Sequence, residues 1–135
     1  MRLVKLNHIN LTSIDVNADV AMFETYFGLR TAVMRGKVLA VMQDDDGMLL
    51  VLNDFAKKRG SFAYPEDSDV HHIGFLQESR EQVDALNARL KVDGWDVPEP
   101  RDYHGAWTFY FKAKGGYFIE VATQTQLRRV EATVV

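Results

Sequence analysis

The stretch Val70-His71-His72-Ile73-Gly74-Phe75-Leu76-Gln77 restarts a pattern already met at Val4-Lys5-Leu6-Asn7-His8-Ile9-Asn10-Leu11-Thr12. Both segments alternate with the period of two that marks a half-buried strand. Ile9 and Leu11 share one face in the first, with Leu6, His8, Asn10 and Thr12 on the other. In the second, Ile73 and Phe75 oppose His72, Gly74 and Leu76. A helix is expected after each. Asn17 is the candidate N-cap of the first, Val20, Phe23 and Phe27 recur at helical spacing, and Gly28 is a natural stop. For the second, Ser79 followed by Gln82 reads as a capping box, Val83, Leu86 and Leu90 form the apolar stripe, and Gly94 ends it. Gly28 follows His8 by 20 positions and Gly94 follows His72 by 22, so the two halves keep nearly the same spacing.

The pattern extends beyond the helices. Two or three strands are expected between Arg30 and Asn53, with Asp44-Asp45-Asp46-Gly47 as a turn, since the spacing and distal Glu of a calcium loop are missing. Strands near Trp95–Val97, Trp107–Ala113 and Tyr117–Thr123 complete the second half. The expectation is one α+β domain over residues 1–135, built from a repeat at 4–53 and another at 70–123, each reading βαβββ. Asp54 to Asp69, with Gly60 and Pro65, is the connector, and a polar tail follows from Gln124. In each half the helix-facing side of the sheet is apolar, which leaves an opposite side polar enough to line a cleft.

Composition narrows the function classes. The 135 residues are 47% hydrophobic and 26% charged, as in a globular domain. The net charge is −3, and the short basic runs Lys57-Lys58-Arg59 and Arg128-Arg129 read as solvated charge, so no nucleic-acid partner is expected. With no cysteine there is no disulfide and no thiolate chemistry. The N-terminal residues lack a signal-peptide core and no apolar run approaches the ~18 residues of a membrane span, so a cytoplasmic protein without membrane contact is expected.

Of the four histidines, His8 and His72 occupy the same point of the two repeats and point away from the apolar side. Taken alone, each would be an ordinary strand histidine; their symmetry is what singles them out. Aligning Gly47-Met48-Leu49-Leu50-Val51 with Gly116-Tyr117-Phe118-Ile119-Glu120 makes Val51 and Glu120 equivalent. Glu120 lies in an otherwise apolar strand, where a carboxylate is costly to bury without compensation. A divalent cation is one compensation. Two imidazoles and one carboxylate leave coordination positions open, as catalysis requires, and suit Mn, Fe(II), Zn or Ni without selecting among them. On the same side, Asn10, Thr12, Thr108 and Tyr110 are candidate substrate contacts, with Tyr110 also able to act as an acid. His104 is the candidate free general acid–base. Trp107 and Tyr103, and also Met34, Met42 and Leu50, are candidates for an apolar wall.

These motifs resemble the vicinal-oxygen-chelate superfamily, which includes glyoxalase I, extradiol dioxygenases, fosfomycin-resistance proteins and bleomycin-binding proteins. The resemblance rests on Leu6-Asn7-His8-Ile9-Asn10, Tyr26-Phe27-Gly28-Leu29, Val70-His71-His72-Ile73-Gly74-Phe75, Thr108-Phe109-Tyr110-Phe111 and Gly115-Gly116-Tyr117-Phe118-Ile119-Glu120-Val121, in that order across residues 4–123. It implies two modules forming an incomplete β-barrel and ligand positions at His8, Val51, His72 and Glu120, where Val51 cannot ligate. Glyoxalase I typically fills all four. A His, His, Glu set is the pattern of the dioxygenases and the fosfomycin-resistance transferases. The latter also resemble this chain at Tyr110, although Pro100 to Trp107 lacks their lysine- and serine-bearing potassium loop. The resemblance further implies a homodimer in which His8 of one chain meets His72 and Glu120 of the other. The expected function is a divalent-metal enzyme acting on a small chelating oxygenated substrate, as a transferase, lyase or isomerase, or dioxygenase. The alternative is a metal-free protein that sequesters a small molecule, as bleomycin-binding relatives do.

Overall fold

The structure, a computed structural model, describes residues 4–123; the expected tail from Gln124 lies outside the described residues. The elements run β1 (His8–Thr12), α1 (Val16–Phe27), β2 (Arg30–Arg35), β3 (Leu39–Gln43), β4 (Leu49–Asn53), a short 3-10 turn (Phe55–Lys58), β5 (His72–Gln77), α2 (Arg80–Val92), β6 (Arg101–Tyr103), β7 (Ala106–Lys112) and β8 (Phe118–Thr123). The fold is α+β. One four-stranded sheet has the order β1-β4-β3-β2 and the other β5-β8-β7-β6, the same order in each repeat, and neither closes on itself. Among the described residues the chain divides into two compact units, residues 4–73 with 112–119, and residues 74–111 with 120–123.

Local chemistry sets the helix ends. Asp15, not Asn17, caps α1: its side chain accepts from the Ala18 N–H at 3.1 Å, so Asn17 falls inside the first turn. Two residues of similar capping strength stand two apart, and the one that precedes buried Val16 prevails. Gly28 stops α1 in the left-handed region (φ 67), with its N–H returned to the Phe23 carbonyl. Ser79 caps α2 by accepting from Gln82 N–H, and the Gln82 side chain accepts from Glu78 N–H at 2.7 Å.

Register fixes the faces of the first sheet. Asn10 pairs with Val51 in the parallel β1–β4 ladder, and Val51 with Val41 in β3. Leu11, Ala40, Met42 and Leu52 therefore share the other side, where they are buried together with Val20, Met22 and Phe23 of α1. Met42 and Leu50 thus lie on the core side and Met34, opposite Ala40, points the same way; all three are withdrawn as walls of a cleft. This parity is set by strand pairing, which alternation within one strand does not give. The open side carries Leu39, Val41, Leu49 and Val51, all half-buried.

In the second unit, the expected strand at Trp95–Val97 does not form. Val97 is buried and Trp95 sets its ring 5.5 Å from Phe111, while the Asn87 side chain donates to the Pro98 carbonyl. The segment is apolar because it packs as a loop, and Pro98 and Pro100 deny it a ladder. The strand in its place, β6, is joined to β7 by the two-residue turn His104-Gly105, both at positive φ (52 and 78). That backbone suits a tight hairpin.

A buried carboxylate ties the first unit together. Asp19, fully buried in α1, accepts from the Ser13 hydroxyl (2.7 Å), the Tyr117 hydroxyl (2.7 Å) and the Gly115 N–H (2.9 Å). A Cβ at Gly115 would collide with Asp19 Oδ2 and Ser13 Oγ, so only glycine fits. Tyr117 is buried and stacks on Phe23 at 6.4 Å. Burial raises the Asp19 pKa against the lowering effect of its three hydrogen bonds, and burial beside Asp19 raises that of Tyr117.

Asp19→Ala leaves three buried donors without an acceptor and is expected to cost about 2–4 kcal/mol in urea unfolding. Because the folded-state pKa is raised, the contribution from Asp19 titration is present below the ordinary value of 3.8 and lost as pH rises through the folded value. The stability of wild type relative to Asp19→Asn should therefore fall from about pH 4 upward. An advantage that grows with pH over that window would contradict the raised pKa.

Candidate functional site

His8 opens β1 and is exposed, on the same side of the strand as Asn10 and Thr12. Its Nδ1 lies 3.0 Å from Asn7 Oδ1. His72 opens β5 and is also exposed, with Nδ1 2.6 Å from the Ser68 carbonyl. A carbonyl oxygen accepts, so each imidazole can engage its neighbour by donating from Nδ1, and a neutral ring that does so keeps its lone pair on Nε2. Metal-binding histidines are commonly fixed in this way. His71 turns the other way and lies against Tyr64, with ring centroids 5.0 Å apart.

Glu120 is half-buried in β8, between fully buried Ile119 and Val121. Thr108 in β7 is completely buried, and its hydroxyl lies 2.8 Å from Glu120 Oε2 and 3.0 Å from the Val121 carbonyl. The one hydroxyl hydrogen is shared between the carboxylate and the carbonyl, and when given to Glu120 it favours this orientation of the carboxylate. Gly74 lies beside it: a Cβ there would make ordinary van der Waals contact with Glu120 Oε1 at 3.6 Å. The donor chemistry, two Nε2 lone pairs and one oriented carboxylate, fits a divalent ion with N and O ligands. Among the described residues of one chain, no group of three or more histidine or acidic side chains gathers into a metal cage.

The other candidates divide by face. Tyr110 follows Thr108 by two residues along β7 and shares its side, half-buried, with its ring edge-on to Tyr103 at 6.2 Å. The Arg101 guanidinium covers Tyr103 at 4.1 Å. Trp107 falls on the opposite, helix-facing side: its indole N–H donates to Asp84 of α2 at 2.8 Å, and Arg80 lies over the ring at 4.5 Å. It does not share the face of Thr108 and Tyr110, and strand parity alone separates it from them. His104 is exposed at the β6–β7 turn, 3.9 Å from the Tyr103 ring.

Two residues unforeseen in the sequence reading join Asn10 and Thr12. Asn53, buried at the end of β4, donates its Nδ2 to Asn10 Oδ1 (2.6 Å), while its Oδ1 accepts from Phe55 N–H (3.1 Å). Arg59, in the connector, lines the same cleft of about 340 Å³. The pairing of Thr12 with Asn53 could not be read without the β1–β4 register.

Comparison with solved structures gives the fold its relatives. A possible glyoxalase from Bacillus cereus is 45% identical, with a TM-score of 0.76, covering 87% of this chain and 97% of that one. The fosfomycin resistance protein FosX from Listeria monocytogenes, in a form complexed with Mn(II) and sulfate, is 20% identical with a TM-score of 0.70, covering 93% and 94%. Lactoylglutathione lyase from Agrobacterium tumefaciens is 18% identical with a TM-score of 0.68, covering 88% and 92%. The latter two show likeness of fold alone. No curated protein matches. The family model for the Glyoxalase/Bleomycin resistance protein/Dioxygenase superfamily matches residues 5–121, almost the full length, and the chain belongs to that superfamily.

Proposed function

We propose that the protein is a divalent-metal-dependent enzyme acting on a small oxygenated substrate that chelates through adjacent oxygens. His8, His72 and Glu120 would hold the ion, His8 from one subunit of a homodimer and His72 and Glu120 from the other. The observation that carries this reading is that each imidazole sets its Nδ1 against an oxygen acceptor, the contact by which metal-binding histidines are commonly oriented to ligate through Nε2. Thr108 holds the Glu120 carboxylate in the matching way. A bound divalent ion supplies Lewis acidity to the substrate oxygens. Tyr110, on the Thr108 side of β7, would hydrogen-bond a substrate oxygen or give it a proton. His104 would exchange protons with solvent from the exposed β6–β7 turn. In order of preference the reaction is addition of a thiol or other nucleophile, isomerisation or lyase chemistry, and ring-cleaving dioxygenation. The FosX neighbour was solved with Mn(II), which makes Mn the first metal to try.

Elemental analysis after dialysis against Mn(II) or Zn(II) should give one ion per subunit for wild type and almost none for His8→Ala or Glu120→Gln. Mixing the two variants under exchange conditions should restore about a quarter of the wild-type metal, because half the dimers become mixed and each mixed dimer has one intact site. Near-zero metal in wild type would overturn the reading in favour of a metal-free binding protein. No recovery on mixing would overturn the shared site.

Thr108→Val removes the hydroxyl and keeps the shape. It should weaken metal binding about tenfold through misorientation of Glu120, measured by competition with a chromogenic chelator. Unchanged affinity would remove Thr108 from the account.

A further inference from the structure

The cleft bordered by Asn10, Thr12, Asn53, Phe55, Arg59 and Phe62 lies wholly within the first unit, on the His8 side of β1. Strand geometry puts Asn10 about 7 Å and Thr12 about 13 Å from His8 along that face. The cleft's polar groups are the Thr12 and Ser61 hydroxyls, the amides of Asn10 and Asn53, and Arg59. Asn53 is saturated, with Oδ1 taken by Phe55 N–H and Nδ2 shared between Asn10 Oδ1 and the Leu11 carbonyl. This fixes the orientation of the Asn10 amide, so Asn10 presents its NH2 as a donor. That NH2 has no partner among the described residues. Nor does the Arg59 guanidinium have an ion pair among them, and Arg59 is the one charged side chain lining the cleft. Asn10 and Arg59 are exposed, and together they offer the cleft two donors, one of them cationic, that can take an anionic acceptor.

Phe55 and Phe62, with Ala56, supply the cleft's apolar part. Phe55 and Phe62 are 40% and 46% exposed, large rings that solvent alone does not favour leaving open. Phe62 is held edge-on to Tyr64 at 4.8 Å, and the Tyr64 hydroxyl is tied to the Thr12 carbonyl at 2.7 Å, so this wall is pre-formed.

We propose that this cleft is a substrate subsite for an arylalkyl carboxylate, with the carboxylate on Arg59 and the Asn10 amide and the flat apolar body between Phe55 and Phe62. The proposal deepens the function proposed above and rests on it for the chelating head, which would lie about 7–13 Å from the cleft's polar groups, at His8. It names the substrate class: an aromatic acid with adjacent oxygens remote from its carboxylate.

The test is titration of the full chain, in chelator, with 3-phenylpropionate and with neutral 3-phenylpropanol, read by NMR at the side-chain amides of Asn10 and Asn53. The carboxylate should shift both signals and bind about tenfold more tightly than the alcohol. Arg59→Gln should abolish that preference, whereas Arg30→Gln, at an arginine paired with Asp45, should leave it intact. Equal affinity for the two compounds, an unaffected preference in Arg59→Gln, or no shift at millimolar concentrations would overturn the proposal. Because no metal is present, its failure is distinguishable from failure of the metal site, which elemental analysis reads separately.

Discussion

A residue in a strand faces one of two sides, and in this protein one side of each sheet's strands is occupied by a packed apolar core. In the first sheet Leu11, Ala40, Met42 and Leu52 are buried with Val20, Met22 and Phe23 of the helix. At roughly 1.5–3 kcal/mol for each large apolar side chain buried, this choice of side is not easily reversed. The parity of the remaining residues follows from it. His8, Asn10 and Thr12 in β1, and Thr108 and Tyr110 in β7, take the opposite side because their neighbours are committed. A shift of one residue would turn each of them inward and expose the core. The candidate chemistry is thus positioned by the apolar residues that alternate with it.

Stability and chemistry are placed on different groups. The strongest buried polar network, Asp19 with Ser13, Tyr117 and Gly115, joins the end of β1, helix α1 and the turn before β8. A Cβ at Gly115 would collide with it. The residues assigned to function are exposed or half-buried, and each is oriented by a partner that does no chemistry itself: Asn7 and Ser68 for the imidazoles, Thr108 for Glu120, Asn53 for Asn10. Such supports hold a site at small entropic cost before any ligand arrives.

Much of this was legible in the sequence because period-two and helical patterns are local. The repeat, both helices with their glycine stops, and the side on which His8 and His72 stand could be read from alternation alone. What escaped was information carried by pairing. The pairing of β3 with β4, and of β2 with β3, puts Met34, Met42 and Leu50 on the core side, and alternation within one strand does not announce it. Trp107 next to Thr108 invited a joint assignment that strand geometry forbids. The Trp95–Val97 segment has a strand's composition but packs as a loop ahead of Pro98 and Pro100. Asn53 and Arg59 became visible only when the β1–β4 register brought the end of one strand beside the connector.

The central claim is that His8, His72 and Glu120 converge on one cation. Anomalous diffraction at the metal edge, from crystals of the full chain grown with Mn(II) or Zn(II), tests it most directly. The account predicts one strong peak per subunit, bonded to Nε2 of both histidines and to a Glu120 oxygen, with His8 contributed by the neighbouring subunit. A peak elsewhere, or none at saturating metal, would contradict it.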